Sequence, residues 1–207
     1  MSYFIYRMPH QFECHSNSTI TSTNWLIGGS KMAKFSGTLG NYKILYKRGG
    51  RISEILEKTE WLITSKQATH VILDGVQNNV RDIRHGILDL ERDVLPRLKA
   101  LNTQAKVIIT EVLYCPQHLH LGCLNTLHMI NRQIRRMNKE ASGMKSPQPW
   151  RVLNTITRHK CRKRSDIVTI LPGSFARDGY HINVEKIIEY EAELVAFMAA
   201  MVNDTQQ

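Results

Sequence analysis

Asp178 and His181 stand three residues apart in DGYHIN, just ahead of a long amphipathic segment. A carboxylate and an imidazole at that spacing are either a base with the group that orients it or a polar turn that opens a helix. The first option requires a nucleophile brought within hydrogen-bond reach by the fold. Ser30, in IGGSKM, is the candidate, because the two glycines before it permit close backbone approach. KRGGRIS (47–53) adds glycine amides, and DGVQNNV (74–80) adds the side chains of Asn78 and Asn79. Serine acyl transfer needs this set: a nucleophile, a base, a carboxylate that orients the base, and donors aimed at a developing oxyanion. Each member also has a plainer role. Ser30 can cap a helix after a glycine turn, Asp178 can make a local Asx bond, and the two asparagines can belong to a polar loop.

The elements that must position these groups follow a regular alternation. NWLIGG (24–29), YKILY (42–46), THVILD (69–74), AKVIITEVL (105–113) and WRVLN (150–154) are strand-like, and each is followed by a helical pattern or a loop leading to one. The third and fourth runs are apolar without alternation, as expected of strands buried on both faces. The pattern predicts a three-layer α/β/α domain around a central parallel sheet of about five strands. In such a sheet ligands bind beyond the carboxyl ends of the strands, and the candidate residues all follow strand ends. Ile83, Ile87, Leu90, Val94, Leu98 and Leu101 form one apolar stripe, with Pro96 predicted to kink or end that helix. Leu124, Leu127, Ile130, Ile134 and Met137 form a second stripe, and both belong to the core. Residues 1–22 read as an N-terminal tail or linker and 23–203 as one domain.

The chain has 207 residues, 42% of them hydrophobic, which suits one α/β domain with a sizeable core. It contains no apolar run of the roughly 18 residues that a membrane span requires, and its first residues lack the apolar core of a signal peptide. With four sparse cysteines, the expectation is an intracellular protein, cytoplasmic or nuclear, with free thiols. Cys115, His118, His120 and Cys123 are zinc-type ligands, but their spacing matches no zinc module, and no metal site is assigned. The net charge of +10 is concentrated: residues 131–164 hold 11 Lys/Arg against one acid, Glu140. Arg135, Arg136, Arg162, Lys163 and Arg164 are therefore candidates for binding nucleic acid or another polyanion. With only Trp150 among them, a base-stacking platform is disfavoured.

Taken together, LIGGSKM, KRGGRIS, LDGVQNNV and DGYHIN resemble, in order, four sequence blocks of the SGNH (GDSL-like) hydrolase family, over about residues 24–200. The resemblance implies a flavodoxin-like fold and a serine esterase or acyl-ester hydrolase that acts on an ester substrate without a cofactor. Ser30 matches the nucleophile, and Asp178 and His181 match the catalytic pair. The oxyanion hole would comprise the amides of Ser30 and Gly49, or in place of the latter Gly50, with the side chain of Asn78 or Asn79. Two departures are visible: Gly29 replaces the usual Asp of the first block, and GVQNN carries an extra residue and lacks the Asp of the third. They leave a second expectation open, a catalytically degenerate scaffold of this type that binds a polyanion, as in viral or mobile-element proteins.

Overall fold

The computed structural model describes residues 11–15, 22–120, 123–148, 156–159, 167–170, 175 and 181–205. Its centre is a five-stranded sheet in the order β1-β3-β2-β4-β5, built from β1 (Glu13–His15), β2 (Asn24–Gly28), β3 (Lys43–Tyr46), β4 (His70–Asp74) and β5 (Lys106–Ile109). The last four are parallel. Leu26 stands between Ile44 and Ile72, and Leu73 is in register with Ile109. All five of these side chains at the sheet centre are fully buried, which explains why the strands read as continuous apolar runs. A separate antiparallel pair joins β6 (Ile156–His159) and β7 (Ile167–Ile170).

Helices cover the sheet as α1 (Ile52–Thr64), α2 (Val80–Arg84), α3 (Leu95–Asn102), α4 (Pro116–His120), α5 (Leu124–Ser142) and α6 (Val184–Asp204). α1 packs on β2, α3 and α5 pack on β5 and on each other, and α6 packs across β4. This is the expected three-layer α/β arrangement. Among the described residues no helix is long and apolar enough to cross a membrane.

Two features differ from the sequence expectation. Residues 13–15, read as part of a tail, add an antiparallel edge strand on β3, held by the Tyr46 hydroxyl donating to Glu13 at 2.6 Å. Among the described residues β1 is the fifth strand of the sheet; WRVLN (150–154), also read as a strand, lies outside the described residues. The helix anticipated over 80–102 is broken. Gly86 takes φ +69° after α2, a left-handed conformation that halts a helix, so Ile87 leaves the apolar stripe and is 69% exposed. The chain re-enters through a π-turn at Leu90–Val94, and Pro96 sits in the first turn of α3, where its missing N–H costs nothing.

Candidate active site

At the carboxyl edge of the sheet, β2 runs through Gly29 into a single 3₁₀ turn, Ser30–Lys34. The Gly29 N–H donates to the Asp74 carbonyl at 3.1 Å, which joins this turn to the end of β4. Ser30 is half-buried, and among the described residues its hydroxyl makes no hydrogen bond. Alongside it, the Lys47 N–H donates to the Gly28 carbonyl at 2.9 Å and carries the pairing of β2 and β3 past the strand ends. The chain then turns at Lys47–Gly50, closed by the Gly50 N–H on the Lys47 carbonyl at 2.9 Å. Gly49 occupies the third position with φ +66°, a conformation that favours glycine, and it faces open space.

The turn after β4, Val76–Asn79, divides the two asparagines between different tasks. Asn79 is buried; its Oδ1 accepts from the Ile52 N–H at 2.9 Å and caps α1, while its Nδ2 donates to Asp82 at 3.0 Å. Asn78 points to the neighbouring turns. Its Nδ2 donates to the Gly50 carbonyl at 2.8 Å and lies 3.4 Å from where a Cβ on Gly29 would be. Turns after three successive parallel strands thus meet at Asn78. An acid in place of Gly29 would begin against this amide.

His181 is placed by α6. This helix runs antiparallel to the strands: Thr205 Oγ1 contacts His70 Nε2 at 3.0 Å at the start of β4, whereas Tyr190 lies against Lys31 and beside Asp74 at its end. Val184 is six residues before Tyr190, about 9 Å further along the axis at 1.5 Å per residue. The helix entrance, with His181 just before it, therefore rises over the carboxyl edge that carries Ser30. His181 is half-buried and precedes Ile182, which bridges to Phe175. Asp178 lies outside the described residues.

Beneath the Ser30 turn is a polar cluster that the sequence reading did not single out. Lys31 Nζ pairs with Asp74 Oδ1 at 3.0 Å, both side chains being buried. Next to it, Gln77 Oε1 accepts from the Leu113 N–H at 2.7 Å, which fixes the orientation of the amide, and Nε2 then faces His118 Nδ1 at 3.0 Å. His118 Nδ1 must accept, so its proton resides on Nε2. Burial, reinforced by the cations Arg81 and Lys31, pushes the His118 pKa down to about 4 and keeps the ring neutral. The visible signal for this cluster was Asp74 itself, an acid closing the apolar strand HVILD, which needs a partner once buried.

Of the zinc-type residues, His118 and Cys115 meet Gln77, and Cys123 Sγ accepts from Arg84 Nη1 at 3.3 Å. Among the described residues no three His, Cys, Asp or Glu side chains gather as metal ligands. Of the basic candidates, Arg135 pairs with buried Glu111 at 2.8 Å and Arg136 with Glu91, while Arg162, Lys163 and Arg164 lie outside the described residues. A cavity of about 740 Å³ near the end of α5, bordered by Arg135, Met144 and Phe197, has none of the Ser30-edge residues in its walls.

No family model matches the sequence, and no curated protein matches it. Solved structures do. The chain superposes on a GDSL-like lipase from Bacteroides thetaiotaomicron with a TM-score of 0.60 at 13% identity, covering 86% of this chain and 88% of the lipase. An acetylxylan esterase from Geobacillus stearothermophilus gives a TM-score of 0.57 at 13% identity, over 86% of this chain and 94% of that one. A psychrotrophic esterase from Pseudoalteromonas, solved with a monoethylphosphonate inhibitor, gives 0.57 at 13% identity, over 88% of this chain and all of that one. The strand order, the helical layers and these likenesses together show that the chain has the fold of the SGNH (GDSL-like) hydrolases.

Proposed function

We propose that the protein is a serine hydrolase of the SGNH type acting on a carboxylic ester, with Ser30 as nucleophile, His181 as general base and Asp178 as the carboxylate that orients it. The observation that carries this reading is the meeting of three strand-end turns at Asn78, which puts an amide donor, the Gly49–Gly50 turn and the Ser30 turn on one edge. In this reaction Ser30 Oγ attacks the ester carbonyl as His181 takes its proton. Asp178 holds the imidazole in the tautomer with its lone pair toward the serine. The negative oxygen of the tetrahedral intermediate receives the N–H groups of Ser30 and Gly49 and Nδ2 of Asn78; Asn79, committed to α1 and Asp82, is the weaker candidate. His181 returns the proton to the leaving alcohol, and water then releases the acyl group by the reverse sequence of proton transfers.

A fluorophosphonate probe tests the assignment. Ser30 is expected to be the single labelled residue, and Ser30→Ala to lose labelling while keeping its far-UV circular dichroism. His181→Ala should lower kcat on p-nitrophenyl acetate by about 10³-fold or more. Labelling that persists in Ser30→Ala would move the nucleophile elsewhere. A folded wild-type protein that takes up no probe would favour the non-catalytic polyanion-binding scaffold.

A further inference from the structure

The residue immediately after Ser30 is a lysine that the fold has buried. Lys31 is 7% exposed, and its ammonium meets the Asp74 carboxylate, itself 3% exposed, at 3.0 Å. Thr110, just past β5, donates to the same Oδ1 at 3.2 Å. From α6, the Tyr190 ring lies 5.4 Å from Lys31 Nζ and packs edge-on against Phe35. Burial and the adjacent Asp74 charge raise the Tyr190 pKa well above its ordinary value and keep the phenol neutral. Among the described residues, Lys31 is the only cation paired with Asp74.

Such a pair is a weak stabiliser. Removing two charges from water costs several kcal/mol, and apolar residues of similar volume are commonly as stable or more so. What an apolar pair cannot supply is direction. Here direction is set on both sides of one residue: the Gly29 N–H is bound to the Asp74 carbonyl at 3.1 Å, and the Lys31 side chain is bound to the Asp74 carboxylate. We propose that the Lys31–Asp74 ion pair is a positioning device for Ser30, clamping its turn from either side so that the hydroxyl is held toward His181 and Asn78. The inference rests on the hydrolase reading. Neither Lys31 nor Asp74 touches the substrate; they act through the serine, for which a displacement of about 1 Å is worth roughly 10²-fold in rate.

The test compares wild type, Lys31→Met and the double variant Lys31→Met/Asp74→Asn by thermal denaturation, by steady-state kinetics on p-nitrophenyl acetate, and by the rate of fluorophosphonate labelling at Ser30. Lys31→Met leaves a buried carboxylate without its cation and should lower Tm. The double variant, with both charges gone, should regain most of that Tm yet keep kcat about 10²-fold below wild type, with KM within about twofold and labelling slowed in parallel. A double variant with wild-type kcat would show that the pair only fills space and would overturn the proposal. If Lys31→Met does not fold, the double variant alone gives the answer. If wild type itself neither hydrolyses nor labels, the hydrolase reading falls, and amide exchange still tests the clamp: exchange at Gly29 and Ser30 at least tenfold faster in the double variant upholds it, and unchanged exchange refutes it.

Discussion

A buried imidazole that refuses a proton makes stability depend on pH, and His118 gives that dependence a definite sign. Its folded pKa of about 4 lies below the ordinary value of 6.5, mainly through burial. Between those values the unfolded chain binds a proton that the native state does not, so stability rises with pH across this window. The contribution is complete above about pH 6.5 and is lost as pH falls toward 4, with an upper size on the order of 3 kcal/mol. His118→Asn keeps an oxygen for Gln77 to donate to and removes the titration. Urea midpoints measured from pH 4.5 to 7.5 should therefore fall less steeply toward acid in the variant than in wild type; equal slopes would refute the assignment. The residue scale is also where sequence reading is least even. Ser30, Asn78 and His181 stand out because strand ends and glycine turns are visible in the one-dimensional pattern. Lys31, Asp74 and Gln77 do not, because a charged or amide residue beside a turn looks solvated until the fold closes over it.

At the scale of elements, the strand succession was legible because buried parallel strands are short apolar runs separated by longer helical periods. The break in the 80–102 region was legible only in part. The apolar spacing from Ile83 to Leu101 fits one helix, and nothing in the period reveals that Gly86 takes a left-handed conformation and turns Ile87 outward. Equally hidden is how the outer edge of β5 is satisfied. Asn138 of α5 accepts from the Ile109 N–H at 2.9 Å and donates to its carbonyl at 2.7 Å, and Asn131 does the same for Val112 at 2.7 and 3.0 Å. Two asparagines seven residues apart on one helix face take the place of ladder bonds, a use that their polarity within an apolar stripe only hints at. Asn138→Ala would strand both groups of Ile109 in a buried setting and should cost about 2–4 kcal/mol in urea denaturation. Asn125→Ala, exposed on the same helix, should stay within about 0.5 kcal/mol. Equal costs would mean that the ladder substitution contributes nothing.

The whole molecule is closed by α6, which joins the last part of the chain to the connection between β2 and β3. Glu191, fully buried, accepts from the Ser36 N–H and the Gly37 N–H, each at 2.8 Å, from the Ser36 hydroxyl, and from the Tyr42 hydroxyl. Burial and this carboxylate raise the Tyr42 pKa, so the phenol remains a donor. The excess positive charge has a different global pattern: Glu111 and Glu91, from elsewhere in the fold, pair with Arg135 and Arg136 and draw part of the basic stretch into the domain's own ion pairs. Glu191 has the larger structural consequence, because it anchors α6, the helix that follows His181, to the 36–42 connection. Glu191→Ala leaves the Tyr42 hydroxyl and two backbone N–H groups facing a void, at a cost of about 3–5 kcal/mol, which for a chain of this size lowers Tm by about 10 °C. The same loss should free the 36–42 connection, making the Ser36 and Gly37 amides exchange with solvent faster than those of β2. A variant that melts within about 2 °C of wild type, with both amides still protected, would mean that the connection is held to the domain by apolar packing alone.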